Sequence, residues 1–236
     1  AIAIGNPSGG GMSVSSGIIS QTSERISVTI AGKKRSLRCF RIDTAVNQGN
    51  SGGGLFDSNG EFLGIVNAKI TSSLVDNIAN AICSNNVKNV VENIIYNYTN
   101  NNESGESVGV KKVVFGVTYT ACDQNNVYDE ENSTNTVTNN ALVVEVAENS
   151  VAKRMGLNID DKIVGIYIKR GTAEKTIYFE RTFEQLGDYV LTLRSGDEIK
   201  FVVKTKGNDG VYGDAVVSSS VTLQDSDFTT SKDNAL

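Results

Sequence analysis

Ser51 stands in the run Asn47-Gln48-Gly49-Asn50-Ser51-Gly52-Gly53-Gly54-Leu55, a hydroxyl set among glycines between two strand-like segments. An attacking hydroxyl needs an exposed tight turn, and nearby backbone N–H groups must converge to stabilise the oxyanion that forms as a carbonyl becomes tetrahedral. Glycines permit that backbone. The same spacing also fits a glycine-rich β-turn in which the serine only serves local backbone groups. A serine hydroxyl further needs a base, ordinarily histidine oriented by a carboxylate, and the 236 residues contain no histidine. Asp43 and Asp57 are the nearest acids along the chain, and each reads as a solvated turn carboxylate.

The elements that must position this turn are predominantly β. Apolar residues make up 39% and charged residues 21% of the chain, ordinary for a folded protein, and the length suits two domains. The net charge of -5 argues against nucleic acid, which needs a concentrated basic surface. The three cysteines, Cys39, Cys83 and Cys122, are widely spaced, so neither a metal site nor a cofactor is expected. No apolar run approaches a membrane span, although the chain opens abruptly on Ala1-Ile2-Ala3-Ile4.

Short β-rich runs, including Ile26–Ile30 and Phe62–Val66, alternate with Gly, Asn and Asp turns, predicting antiparallel strands. Val87, Val90, Val91, Ile94 and Ile95 then recur at helical spacing behind Ser84, predicting an amphipathic helix to Tyr98 that closes a first domain over 1–98. The polar run 99–109 reads as a linker. Beyond it the pattern predicts strands at 113–120, 141–146, 163–168 and 198–205. It predicts helices at 151–155 and 182–193, with Ser150 or Asn149 as a cap and Gly156 as a stop. Residues 122–140 read as a long surface loop and 225–236 as a polar, frayed tail.

The stretch Ile42 to Leu55, with Leu63-Gly64-Ile65-Val66-Asn67, Ala3-Ile4-Gly5-Asn6-Pro7 and Ser16-Gly17-Ile18-Ile19-Ser20, resembles the HtrA family of trypsin-like serine proteases over nearly all of 1–98. Thr44 and Cys83 depart from it, the family usually having Ala and Pro there. The resemblance implies a mainly β fold: the C-terminal half of a trypsin-like double β-barrel, followed by an α+β PDZ domain at 110–224. It makes Ser51 the nucleophile and places the oxyanion hole at Gly49, Asn50 and Ser51. Ala45 and Val46 would lie by the primary specificity pocket, with Val66, Asn67 and Ala68 on the strand that pairs with an extended substrate. A small to medium aliphatic side chain before the cut bond is expected. The family's histidine and aspartate lie on the preceding barrel, so the chain reads as a fragment, inactive alone.

Val113–Val117, Ala141–Val146, Ser150–Leu157 and Asp160–Ile166 resemble a PDZ domain of the HtrA kind. That implies capture of C-terminal peptides, with Val114, Phe115, Gly116 and Val117 as the carboxylate-holding loop. Polypeptide substrates, a bacterial cell-envelope setting with an upstream membrane anchor, and a homo-oligomer in the full-length protein are expected on the same ground. The alternative is a non-catalytic peptide-binding module or a degenerate protease homologue.

Overall fold

A computed structural model describes residues 1–7, 10–30, 33–47, 49–69, 78–101, 109–129, 134–179 and 185–230. The chain is mainly β and divides into two compact units, Ala1–Ile95 and Tyr96–Asn234.

The first unit is one antiparallel sheet in the order β2-β1-β5-β6-β7-β4-β3. Its strands are β1 (Ile2–Gly5), β2 (Ser13–Ser16), β3 (Ile19–Ile30), β4 (Lys33–Ile42), β5 (Gly54–Phe56), β6 (Phe62–Lys69) and β7 (Ala79–Cys83). The outermost strands of that order, β2 and β3, are consecutive in the chain and separated only by Gly17 and Ile18. The sheet must therefore curl toward a barrel. Ala3, Ile42, Val46, Leu55, Val66, Ala79 and Ala81 form its buried core. Cys39 and Cys83 are buried and Cys122 partly so, all as free thiols. Burial, the neighbouring Cys83 and the Glu24 carboxylate push the Cys39 thiol up to about 11.

Helix α1 (Ser84–Asn101) occupies the expected segment but not with the expected face inward. Asn93 and Asn97 are buried, whereas Val91, Ile94 and Ile95 are exposed by 45%, 41% and 58%. The burial follows an asparagine stripe, because both asparagines have bonding partners.

The second unit is built on a sheet ordered β14-β13-β11-β10-β9, with β12 beside β11 and β15 beside β13. The strands are β9 (Val117–Asp129), β10 (Thr134–Val146), β11 (Lys162–Arg170), β12 (Ala173–Tyr178), β13 (Glu198–Lys204), β14 (Val216–Val217) and β15 (Val221–Thr222). Helices α2 (Val151–Arg154) and α3 (Gln185–Val190) complete it. A separate pair joins β8 (Lys111–Val113) to β16 (Phe228–Thr230). Phe201, Ile163, Ile166, Ile199, Met155 and Leu193 are fully buried in its core.

Two expectations fail here. Residues 122–129 and 134–140 are strand rather than loop: β9 and β10 pair along them, Cys122 opposite Asn140 and Asp129 opposite Thr134. Polar Asn and Thr residues mislead because a two-stranded ribbon needs no apolar face. The tail is not frayed from 225 either. Asp225–Asp227 form a 3-10 turn and Phe228–Thr230 a strand, tied by the Arg154 Nη2 bond to Asp227 Oδ1 at 2.6 Å. The expected linker falls partly on α1 and, with residues 182–184 and 231–236, partly outside the described residues.

Candidate active site

The chain reaches Ser51 from the end of β4. Asp43 turns it there, because its Oδ1 accepts the Ile18 N–H at 2.6 Å. Gly17 makes that approach possible: a Cβ there would lie 2.3 Å from Asp43 Oδ1 and 2.8 Å from the Thr44 nitrogen. Ser15 Oγ donates to the Ala45 carbonyl at 2.8 Å. Thr44 and Val46 point inward, buried, while Ala45 stays exposed.

Two successive turns then build the site. The Asn50 N–H donates to the Asn47 carbonyl at 3.0 Å, and the Gly53 N–H to the Asn50 carbonyl at 2.9 Å. Gly49 and Gly52 sit at φ of +101° and +89°, the left-handed region that side chains avoid. The Gly52 N–H donates to the Val66 carbonyl at 2.8 Å, and the Val66 N–H to the Gly53 carbonyl at 2.9 Å. These bonds clip the turn to β6. On its other side, Gly53 lies so close to β1 that a Cβ would come within 2.3 Å of the Ile4 carbonyl oxygen. A Cβ on Gly5 would meet Asn50 Oδ1 at 2.6 Å.

The amides therefore alternate. Those of Asn50, Gly52 and Gly53 are spent on carbonyls, while those of Gly49 and Ser51 have no acceptor among the described residues. Ser51 is exposed and Asn50 is 5% exposed, its Oδ1 unpaired. Val46 and Val66 share one buried cluster. Val66 spends both backbone groups on the turn, which leaves Asn67, at the irregularity between Val66 and Ala68, and Ala68, opposite Asn80, as the neighbouring positions on β6. Gln48 lies outside the described residues.

Both nearby acids accept backbone N–H groups of their own surroundings. Asp43 holds Ile18, and Asp57 Oδ1 accepts the N–H groups of Asn59 and Glu61 at 2.8 and 2.7 Å. Among the described residues no His, Cys, Asp and Glu cluster could hold a metal ion.

Of the residues that shape the turn from outside the serine run, Gly5 and Gly17 were not visible in sequence as site residues, whereas Val66 was. Gly5 and Gly17 are isolated glycines beside strands, a pattern that signals close backbone approach.

Residues 1–65 match the model of the trypsin-like peptidase domain. The serine protease Do-like HtrA of Bacillus subtilis (strain 168) is 29% identical over 214 residues, 86% of this chain and 45% of that protein. The serine protease Do-like HtrB of the same strain is 32% identical over 69% of this chain and 35% of its own length. Among solved structures, the HtrA-type protease AlgW with a decapeptide superposes with a TM-score of 0.53 at 26% identity, covering 94% of this chain and 59% of that one. The chain is similar to HtrA-type trypsin-like serine proteases. It spans under half the length of these two Bacillus relatives. The Ser51 turn and the strands on either side of it lie within residues 1–65, the part that matches the trypsin-like peptidase domain.

In the second unit, the Val114 N–H donates to the Asp227 carbonyl at 2.9 Å, and Val114 is exposed. Phe115 is buried, its ring tilted against Phe201 with centroids 5.0 Å apart. Its carbonyl accepts the Ala152 N–H at 2.9 Å, and that of Gly116 accepts the Ala147 N–H at 2.8 Å. Gly116 lies at φ +67°, where a Cβ would come within 2.3 Å of the Ser150 Cβ. Ser150 also caps α2, its Oγ accepting the Lys153 N–H at 3.1 Å. The amides of Phe115 and Gly116 have no acceptor among the described residues. Val117, half-buried, starts β9 at the edge of the sheet.

Proposed function

We propose that this chain carries the nucleophile half of an HtrA-type serine endopeptidase that cleaves extended or unfolded polypeptides. The alternation of spent and unspent amides round Ser51 carries the reading. A scissile carbonyl set against Ser51 Oγ would send its oxyanion to the Gly49 and Ser51 amides, a kind of contact worth about 3 kcal/mol per donor in acyl transfer. The left-handed glycines hold that geometry before substrate arrives, so it costs no reorganisation during the reaction. The backbones of Asn67 and Ala68 suit pairing with the substrate strand, and exposed Ala45 beside buried Val46 suits an uncharged side chain before the cut bond.

With no histidine in the sequence, the proton of Ser51 must pass to a base outside these residues. Casein digestion by the chain alone is expected to stay at background. Turnover by the chain alone that disappears in Ser51→Ala would show that it holds its own base and overturn that part of the reading.

The second unit suits a PDZ-type role, in which the Phe115 and Gly116 amides take the carboxylate of a polypeptide C-terminus and β9 takes its strand. Phe115 is core, so exposed Tyr119 on β9 is the position to vary. Peptides ending in apolar residues should bind saturably and more weakly to Tyr119→Asp. Failure of every such peptide to bind would remove this role and leave the protease reading intact.

A further inference from the structure

Asn80 lies in the middle of β7 and is 0% exposed, yet neither its Oδ1 nor its Nδ2 has a hydrogen-bond partner among the described residues. Buried amides are almost always paired, so an orphaned one marks a place where a partner belongs. Its neighbours along the strand, Ala79 and Ala81, enter the buried cluster with Val46 and Val66. By the two-residue period of a strand, Asn80 faces the other side of the sheet, away from that cluster.

The strand register ties this position to the Ser51 turn. Ala81 is opposite Val66, whose N–H and carbonyl are bonded to Gly53 and Gly52. The next pair along, Asn80 opposite Ala68, comes after a bulge at Asn67. Bulges recur beside active sites, where they break the ladder and redirect the chain. Asn80 therefore stands two strand spacings, about 10 Å, from the turn, next to the Asn67 and Ala68 backbone proposed for substrate pairing. A side chain on the residue before the cut bond and the Asn80 amide together span that distance.

An amide side chain sets an acceptor beside a donor, and only a group with the same pair reversed answers both at once. A primary carboxamide does so through two N–H···O bonds. An aliphatic group answers neither, a carboxylate sets a second acceptor against Oδ1, and an ammonium sets a second donor against Nδ2. The nearest cation in register draws no charged group either: Arg41, opposite Asn80 on β4, gives its guanidinium to Glu24, with Nε 2.9 Å from Oε2.

We propose, on the proteolytic reading of Ser51, that Asn80 selects a carboxamide side chain, asparagine or glutamine, at the residue before the cut bond. The test labels the full chain with peptidyl diphenyl phosphonates in the presence of imidazole and reads the Ser51 adduct by mass spectrometry. Three acetyl-Ala-Ala probes end in the isosteric side chains of asparagine, leucine and aspartate. The asparagine probe should label about 25-fold faster than the leucine probe, from two hydrogen bonds worth about fivefold each, and faster than the aspartate probe. Asn80→Leu should erase that preference, and the comparison on the unaltered chain decides the matter even if the variant fails to fold. Equal or faster labelling by the leucine or aspartate probe would overturn the proposal and leave Ser51 as the nucleophile, as would an unchanged preference in folded Asn80→Leu. Adducts from none of the three probes would remove the nucleophile itself, and the proposal with it.

Discussion

The two units treat buried polar groups in opposite ways. In the second, Asp197 is 1% exposed and fully engaged, taking Arg170 Nε and Nη2 at 2.7 and 2.6 Å and the Arg194 N–H at 2.8 Å. Asp161 likewise accepts the Asn158 N–H at 2.8 Å. In the first, the buried atoms Thr44 Oγ1, Asn50 Oδ1, Asn86 Oδ1 and both amide atoms of Asn80 have no partner among the described residues. An unpaired buried polar group costs about 1–3 kcal/mol. Among the described residues the second unit leaves no buried side-chain atom unpaired, while the first carries that cost at Thr44 and Asn50, into and in the Ser51 turn, and at Asn80 and Asn86 on β7 and α1. Functional sites are where such violations are retained.

The contrast is testable at several strengths. The largest effect belongs to the second unit: Phe201→Ala removes a fully buried ring that packs on Phe115 and should cost about 3–5 kcal/mol in its denaturant unfolding, leaving the first unit's transition in place. Gly53→Ala should cost the first unit about 2 kcal/mol or more, because the added carbon meets the Ile4 oxygen at 2.3 Å, and should distort the turn. Asn80→Leu acts in the opposite sense. Removing the unpaired amide should raise the first unit's stability by about 1–3 kcal/mol, whereas a loss would mean that Asn80 is better satisfied in solution. Thiol alkylation separates the units kinetically: Cys122 should react first, and buried Cys39 and Cys83 only when the first unit opens.

The smallest effect concerns acid. Lys162, at 2.9 Å from Oδ1, and Asn140, at 3.1 Å from Oδ2, hold the Asp123 carboxyl below its ordinary value of 3.8. A lowered folded value stabilises above 3.8 and loses that contribution as pH falls through it. Asp123→Asn should therefore flatten slightly the acid limb of the second unit's stability, as seen in melts across that range.

Much of this was legible in the sequence, for identifiable reasons. Alternation at Phe62–Val66 and the Ser150 cap gave strand and helix because local chemistry decides them. The Ser51 run stood out because left-handed turns demand glycine. What escaped depended on long-range pairing: a polar β9–β10 pair with no apolar face to announce it, a tail strand held by Arg154, and a helix whose asparagines go inward. Which amides of the Ser51 run are spent on carbonyls also needed the structure, since it depends on Val66, fifteen positions beyond the serine.

On the proposed reading, Ser51 is a nucleophile without a histidine base in this sequence. The direct measurement is mass-spectrometric mapping of a fluorophosphonate adduct on the chain, with and without added imidazole, beside Ser51→Ala. An adduct on Ser51 that requires imidazole and is lost in the variant is the expected result. Equal labelling of the variant, or no adduct on Ser51 even with imidazole, would contradict it.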